Sequence, residues 1–281
     1  MNTASGLFES VESPIRRMVW LHVHVPKAGG STIRHLLHRN FGERYYNSTS
    51  LLETRQYSRD EVSEIIRCHP QYGCISDHKF SLNLPYDHAQ ADIYALCFVR
   101  DAVDRFVSRY FFHRHFEEVA CIAQRLSFRE FAEAELVHGF AHPQTNSQIS
   151  FLNGGVSSER LDEIETVLQT GRVLLFPIER FDEAVVAMER VYPACFPDMS
   201  YVRANVSVRD GEVSSEDLEF VRPYFSNDTP LWELSQRELD LFVGRAFPDA
   251  EERAAALEEF RDRCRRRFHN FHAPTPRPET V

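Results

Sequence analysis

The sequence predicts an α/β fold: a single three-layer domain in which helices flank a central, mostly parallel sheet and the C-terminal part is helical. Short apolar segments at residues 19–25, 93–99 and 173–176 are typical of buried inner strands. Each is followed by a helical pattern, and strands that alternate with helices favour parallel crossover connections. With 281 residues, 43% of them hydrophobic, the chain can form one large core, and no internal repeat or linker divides it.

The elements of the first half follow from capping residues and apolar periodicity. The first strand leads into a helix that ends near Gly42, and Ser58 is placed to cap a second helix. A short strand around residues 74–76 precedes the strand at 93–99, which ends abruptly before Asp101. Asp101 can cap a long helix whose wide apolar face comprises Val103, Phe106, Val107, Tyr110 and Phe111.

The second half continues this alternation and then becomes helical. Ser127 and Glu130 have capping-box spacing, which predicts a helix after Ser127. The strand at 173–176 is followed by a helix from about residue 181 to 192. Further helices are predicted near residues 215–224, 229–245 and 249–268.

The proline content of the tail, the net charge and the lack of long apolar stretches predict the extent of the domain and the kinds of partner that the protein has. We expect a flexible N-terminus over residues 1–17, one domain over 18–272, and a disordered proline-rich tail over 273–281. The net charge of −10 opposes general affinity for nucleic acid. No stretch approaches the roughly 18 apolar residues of a membrane span, and the N-terminal residues lack the apolar centre of a signal peptide. These features predict a cytoplasmic protein with no nucleic-acid partner and no membrane span.

Neither the cysteines nor the basic run near the end of the chain indicates a functional site. The six cysteines are too scattered for a disulfide scaffold and are predicted to be reduced. One mixed group could be drawn as a zinc site: Cys68, His69, Cys74 and His78. Its spacing matches no common structural zinc pattern, so no metal is expected. The basic run at 263–267 closes a predicted helix, where cations complement the negative end of the helix dipole.

The most informative stretch is residues 23–32, V-H-V-P-K-A-G-G-S-T, in which a strand runs into a glycine turn and a hydroxyl-rich helix start. Backbone N–H groups of such a turn converge on one point, and the helix dipole and Lys27 add positive potential there. Only two lysines, Lys27 and Lys79, occur among 32 basic residues, which indicates a need for a compact ammonium, although codon bias could leave the same two. The stretch therefore predicts a site for a phosphate-like anion.

The order of residues in this loop argues against two common nucleotide motifs. In a Walker loop the lysine follows the glycines, whereas here Lys27 precedes Gly29 and Gly30. The G-x-G-x-x-G pattern of a dinucleotide-binding fold does not occur in the sequence. Neither a P-loop NTPase nor a dinucleotide-dependent enzyme is therefore favoured.

Two stretches carry a family resemblance. Residues 24–32 read H-V-P-K-A-G-G-S-T and residues 98–110 read F-V-R-D-A-V-D-R-F-V-S-R-Y. The first resembles the 5′-phosphosulfate loop, I-P-K-T-G-G-T-S, and the second the 3′-phosphate motif, V-R-D-P-x-x-R-x-x-S-x-Y, of sulfotransferases that use 3′-phosphoadenosine 5′-phosphosulfate. The chain is most similar to the bacterial and Golgi-type carbohydrate sulfotransferases of family 2. Weaker echoes, which extend the resemblance over most of residues 20–245, occur at 146–154, 176–181 and 205–207.

The resemblance implies a P-loop-like sulfotransferase domain, and it implies that 3′-phosphoadenosine 5′-phosphosulfate is the sulfuryl donor. By the same resemblance, the residues that hold it are Lys27, Ala28, Gly29, Gly30, Ser31 and Thr32 at the 5′-phosphosulfate and Arg100 and Ser108 at the 3′-phosphate. Ala28 replaces the usual threonine, which removes a hydroxyl contact but leaves the backbone cradle, and Ala102 replaces a proline at the helix start. A fixed guanidinium suits a terminal phosphate, although Arg100 could instead form an ion pair with Asp101.

Sulfuryl transfer is expected to be an in-line displacement that depends on positioning and electrostatics, as phosphoryl transfer does. Lys27 is the candidate for stabilising the bridging oxygen. A neutral imidazole can take the acceptor's proton, and His78 is assigned this role because its segment resembles the family's G-H-x-x-x base motif, with Asp77 where glycine often stands. The rivals are His22, His69 and His24, the last of which is better placed to lie under the loop and orient it.

The acceptor is expected to be a hydroxyl group of a carbohydrate or small metabolite, bound by loops within residues 43–57, 80–92 and 112–150. Two other functions stay open. A nucleotide-dependent kinase would need a divalent metal and a carboxylate to hold it. A catalytically silent nucleotide-binding protein would keep the fold without turnover. The sequence does not indicate the oligomeric state.

Overall fold

The computed structural model describes residues 16–48, 55–115, 122–138, 147–155, 160–202 and 211–272. The predicted tail at 273–281 and all but the last two residues of the predicted flexible N-terminus lie outside these ranges. Within them, no helix is both long enough and apolar enough to cross a membrane.

A parallel sheet of five strands forms the centre of the described structure. The strands are β1 (Arg17–Val23), β2 (Tyr45–Asn47), β3 (Cys74–Asp77), β4 (Ala91–Val99) and β5 (Val173–Pro177), in the order β2-β3-β1-β4-β5. Each neighbouring pair is parallel, and Val23 at the end of β1 lies opposite Asp77 of β3 and Cys97 of β4. The predicted α/β class with a central parallel sheet is confirmed.

Helices follow the strands in the predicted alternation. Their bounds are α1 (Gly30–Phe41), α2 (Arg59–Cys68), α3 (Ala102–His115), α4 (Phe128–Ala132), α5 (Gln148–Leu152), α6 (Leu161–Leu168), α7 (Phe181–Val191), α8 (Ser215–Val221), α9 (Thr229–Ala246) and α10 (Ala250–His272). A π-helical turn, Glu133–Val137, continues α4. Short 3-10 turns occupy Gly42–Arg44, Ile122–Gln124, Ile178–Arg180 and Arg222–Asp228.

Side chains that alternate along the strands pack against two helical layers. Trp20 and Phe98 lie on one face of the sheet, in a cluster with α1, α7, α9 and α10. Leu21 and Cys97 lie on the other face, in a cluster with α2, α6 and the start of α9. A third cluster around Phe106 joins α3 to α4 and α8. The three-layer architecture is therefore the one that the sequence predicts.

Local capping confirms several predicted helix starts. Ser58 and Ser127 each form a capping box, the first with Glu61 and the second with Glu130. The Asp101 carboxylate accepts the N–H three residues farther on at 2.9 Å, as expected of the residue that caps α3. These short-range signals were sufficient because each involves residues within one helical turn.

The sequence prediction misses three short elements: β2, α5 and α6. β2 has three residues, and its Tyr46 is 42% exposed, so no apolar run marks it as a strand. All five residues of α5 are buried, including Gln148, which no helical periodicity would place inside. These elements depend on contacts with distant parts of the chain.

The arginines at 263–267 do not close their helix as predicted, because α10 continues to His272. Arg263 lies 2.5 Å from the Glu189 carboxylate and 3.0 Å from that of Asp198. Arg267 lies 2.5 Å from Asp198. Arg263 and Arg267 thus form lateral ion pairs that join α10 to α7 and the segment after it, whereas Arg265 pairs with Glu258 and Asp262 of α10 itself.

Candidate functional site

The carboxyl ends of β1 and β4 lie side by side in the middle of the sheet. The chain leaves β1 toward β2 and β3 on one side, and it leaves β4 toward β5 on the other. Ligands of open parallel sheets bind at such a point, where the two connections diverge. The segments at 24–32 and 100–108 follow these two strand ends, so the fold brings both sequence motifs to one edge of the sheet.

The glycine turn after β1 is built on two left-handed residues. Lys27 has a φ of 66°, which is rare for a residue other than glycine, and Gly29 has a φ of 78°. α1 begins at Gly30, and its first turn contains no acidic residue. The positive end of this helix and the N–H groups of its first turn therefore remain suited to an anion.

Steric contacts explain both glycines of the turn. A Cβ on Gly30 would lie 1.6 Å from Nε2 of His24, so the imidazole ring occupies the space that a side chain would need. A Cβ on Gly29 would lie 2.4 Å from Cδ1 of Ile178, in the turn after β5. His24 is 6% exposed and lies beneath the loop, as predicted.

Three histidines stack next to this loop. The rings of His24 and His78 are 3.8 Å apart between centroids, and those of His22 and His24 are 5.1 Å apart. Burial lowers the pKa of His22 to about 3, and burial also holds the pKa of His24 well below its usual value. The stack is therefore neutral at physiological pH.

His78 immediately follows β3, and a main-chain contact determines its orientation. Its Nδ1 lies 2.8 Å from the carbonyl oxygen of His24. A carbonyl oxygen only accepts, so Nδ1 carries the proton and Nε2 of the neutral ring has a free lone pair. Burial lowers the pKa of His78, which favours this neutral form. His78 thus has the protonation state of a general base.

The Lys27 ammonium lies over an aromatic ring. Its Nζ is 3.7 Å from the centroid of Phe112, near the end of α3. Burial, followed by repulsion from Arg100, lowers the pKa of Lys27 to about 8. Lys27 and Arg100 are therefore close enough to act on the same anionic ligand.

Arg100 is the first residue after β4, and its guanidinium points toward the glycine turn. Its Nη1 lies 3.5 Å from the carbonyl oxygen of Lys27. Its main chain forms two hydrogen bonds with the side chain of Gln148, from N–H to Oε1 at 3.0 Å and from Nε2 to the carbonyl oxygen at 2.7 Å. The side-chain carboxylate of the neighbouring Asp101 caps α3, and the main-chain N–H of Asp101 donates to the Glu179 carboxylate at 2.9 Å.

Ser108 lies two turns into α3 and is 8% exposed, between two arginines of the same helix. Arg109 pairs with Glu135 at 2.6 Å. One turn farther on, burial and the charges of Arg109 and Lys27 lower the pKa of His113 to about 4. His113 is therefore neutral at physiological pH, and Arg109 is the cation that directly follows Ser108 in α3.

Sequence reasoning missed several residues of this edge. Phe112 and His113 could have been found, because they lie one helical turn after Ser108 and Arg109. Gln148 and Glu179 reach the main chain of residues 100 and 101 from other segments. No local pattern marks either contact.

The group considered as a zinc site does not assemble. The Cys68 thiol is exposed and lies 3.1 Å from Glu64, whereas Cys74 is fully buried in β3. Within the described ranges, no cluster of three or more histidine, cysteine, aspartate or glutamate side chains could hold a metal ion.

Comparisons with known proteins concern the same part of the chain. A family model described as "Sulfotransferase family" matches residues 14–203, which include β1 to α7 and both motifs. A protein of Archaeoglobus fulgidus described as uncharacterized is 22% identical over 247 residues, 81% of this chain and 96% of that protein. The crystal structure of a sulfotransferase from Alicyclobacillus acidocaldarius aligns with 18% identity and a TM-score of 0.46, over 81% of this chain and 99% of that one.

Proposed function

The chain belongs to the sulfotransferase family, and from that premise we propose that it transfers a sulfuryl group from 3′-phosphoadenosine 5′-phosphosulfate to a hydroxyl group of a carbohydrate or small metabolite. One observation carries the proposal. The glycine turn after β1 and Arg100 after β4 meet at the point where the sheet connections diverge, with Arg100 Nη1 3.5 Å from the Lys27 carbonyl oxygen. This arrangement suits a nucleotide with two anionic ends.

The side chains and amides present suit the oxygens of such a donor. The turn offers main-chain N–H groups and a helix start without acidic residues, and Lys27 and Arg100 add two cations. The 5′-phosphosulfate is held by Lys27, Ala28, Gly29, Gly30, Ser31 and Thr32, and the 3′-phosphate by Arg100 and Ser108. Ala28 contributes through its backbone only.

The donor supplies a sulfur atom bonded to a phosphate oxygen that can leave. Lys27 donates a hydrogen bond to that bridging oxygen, where negative charge accumulates as the bond to sulfur breaks and the acceptor oxygen bonds to sulfur. With a pKa of about 8, the Lys27 ammonium is mostly protonated at neutral pH. Contact with an anion raises this pKa further and keeps the charge in place.

His78 removes the proton of the acceptor hydroxyl. Its Nε2 is the atom that accepts the proton, because the His24 carbonyl engages Nδ1. The imidazolium then returns the proton to water. The buried stack beneath it favours the neutral ring before each turnover.

Calorimetry with the full chain tests the donor. We expect binding of adenosine 3′,5′-bisphosphate, and transfer of labelled sulfate to hydroxyl acceptors that continues in excess EDTA. Binding of ATP with magnesium but not of the bisphosphate, with phosphate transfer that EDTA abolishes, would instead establish the kinase alternative. Bisphosphate binding without sulfate transfer across a broad acceptor panel would indicate a silent nucleotide-binding protein.

A further inference from the structure

The peptide of Arg100 is held by a side chain instead of by a neighbouring strand. Strand β4 ends at Val99, and Gln148 pairs with both the N–H and the C=O of the next residue at 3.0 and 2.7 Å. Gln148 is 1% exposed. A primary amide paired in this way holds a peptide in one orientation, as a β-ladder does. Gln148 therefore sets the direction in which the Arg100 side chain leaves the main chain.

Gln148 is in turn held by a buried carboxylate from the C-terminal helical part. Asp228, which is 2% exposed, accepts the N–H of Gln148 at 2.8 Å and that of Ile149 at 3.1 Å. It also accepts the hydroxyl of Ser147 at 3.2 Å. Charge-assisted hydrogen bonds of this kind are the stronger ones in proteins, so the start of α5 is firmly placed.

A second buried charge, Arg105 of α3, is 4% exposed and lies within electrostatic range of Asp228. Burial lowers the pKa of this guanidinium to about 10, although the nearby Asp228 raises it, so it remains charged at neutral pH. Asp228 thus contacts α5 directly and acts electrostatically on α3, the two helices that flank Arg100.

We propose that Gln148 and Asp228 are positioning residues for nucleotide recognition: Asp228 fixes the start of α5, Gln148 fixes the Arg100 peptide, and Arg100 meets the 3′-phosphate. The inference rests on the proposed function, in which Arg100 binds that group. Asp228 lies beyond residues 14–203, so selection of the donor involves a segment outside the matched family region.

The test compares two nucleotides that differ only in the 3′-phosphate. Calorimetric titration of the full chain with adenosine 3′,5′-bisphosphate and adenosine 5′-monophosphate gives a preference ratio. We expect Gln148→Ala to lower this ratio about tenfold, the usual order for loss of a paired hydrogen bond, and to leave monophosphate affinity within about twofold. Asp228→Asn should lower the ratio in the same direction.

Gln56→Ala is the matched control. The Gln56 amide donates to the carbonyl oxygens of Phe80 and Phe151, the latter in α5, but does not contact Arg100. It should leave the ratio unchanged. If Gln148→Ala binds neither nucleotide, Gln148→Met, which keeps the length of the side chain but has no amide, should bind both nucleotides with the lowered ratio.

Each outcome has a distinct meaning. An unchanged ratio in Gln148→Ala, or in Gln148→Met where the alanine variant binds neither nucleotide, overturns the positioning role while the proposed function stands. An unchanged ratio in Asp228→Asn alone overturns the part assigned to Asp228. A wild-type chain without any preference for the bisphosphate overturns the donor assignment and this inference with it.

Discussion

The two sides of the site differ in how far apart their residues lie in the chain. On the β1 side, residues 23–32 supply the turn, the lysine and the helix start. On the β4 side, Arg100 is held by Gln148, which lies 48 residues farther along, and Gln148 is held by Asp228, which lies another 80 residues on. The first side uses main-chain amides and one ammonium. The second uses the Arg100 guanidinium together with the buried amide of Gln148 and the buried carboxylate of Asp228. The local side depends mainly on steric fit around two glycines, and the remote side on a network of buried polar groups.

The two sides should therefore respond differently to amino-acid substitutions. A contiguous turn keeps its shape as long as its glycines and the ring beneath them fit together. A buried polar network is stable only when all of its members are present, because an unmatched buried charge is costly. Substitutions should therefore separate the two sides by their effect on stability and on turnover.

The largest effect is expected at the remote anchor. Asp228→Ala leaves two α5 amides and the Ser147 hydroxyl without their buried acceptor and removes the charge that acts on Arg105, so it should lower the free energy of unfolding by about 3–5 kcal/mol. Urea denaturation measures this. Asp240→Ala is the control, because Asp240 pairs with Arg180 at 2.7 Å but is 64% exposed, and should cost at most about 1 kcal/mol. Equal losses in both variants would contradict the distinction between buried and exposed carboxylates.

The next largest effect concerns turnover on the local side. Lys27→Ala should reduce sulfate transfer about 10²- to 10³-fold, as removal of one charge-stabilising donor does elsewhere. The melting temperature should change little, because the ammonium mainly covers the Phe112 ring. Lys79→Ala removes the only other lysine and should lose much less activity. Comparable losses in the two variants would remove Lys27 from the site.

A smaller effect is expected from the steric fit under the turn. Gly30→Ala forces a Cβ to 1.6 Å from Nε2 of His24 and should cost about 1–3 kcal/mol of stability. The double variant with His24→Ala should recover most of this loss. Gly244→Ala, inside α9 with no atom near its Cβ position, should instead gain about 1 kcal/mol. If the stability losses of Gly30→Ala and His24→Ala simply add in the double variant, the imidazole ring does not occupy the space next to Gly30.

The smallest effect is the pH dependence of kcat/KM, which involves both sides of the site. His78 acts as a base only when neutral, so activity should rise as pH passes upward through its pKa, which burial holds below the ordinary value. Lys27 acts only when protonated, so activity should fall as pH rises through about 8. A profile without the alkaline decline would contradict the role of Lys27, and an unchanged acid limb in His78→Gln would contradict that of His78.

The sequence was sufficient for most regular elements and for the local side. Ser58, Asp101 and Ser127 cap the helices that they were expected to cap. The position of His24 beneath the loop also followed from its place next to the glycine turn. All of these contacts join residues close together in the chain, where residue type and spacing nearly determine geometry.

The short elements and the remote contacts were not predictable in this way. β2 has too few residues for a periodic signal, and Arg263 and Arg267 pair with acids from other segments instead of complementing a helix end. In the sequence, nothing distinguishes Gln148 from other polar residues. Its contact with Arg100 depends on the packing of α5 against the end of β4. Side chains that act through distant partners carry no local pattern.

The amino-acid sequence by itself determined the α/β class and the glycine turn after β1, because strand periodicity, capping and left-handed glycine geometry are short-range effects. Only the tertiary structure decided which residues hold Arg100, which ring nitrogen of His78 carries the proton, and which aromatic ring the Lys27 ammonium covers. Those outcomes depend on contacts between segments far apart in the chain, and such contacts exist only after the sheet has brought the ends of its strands together.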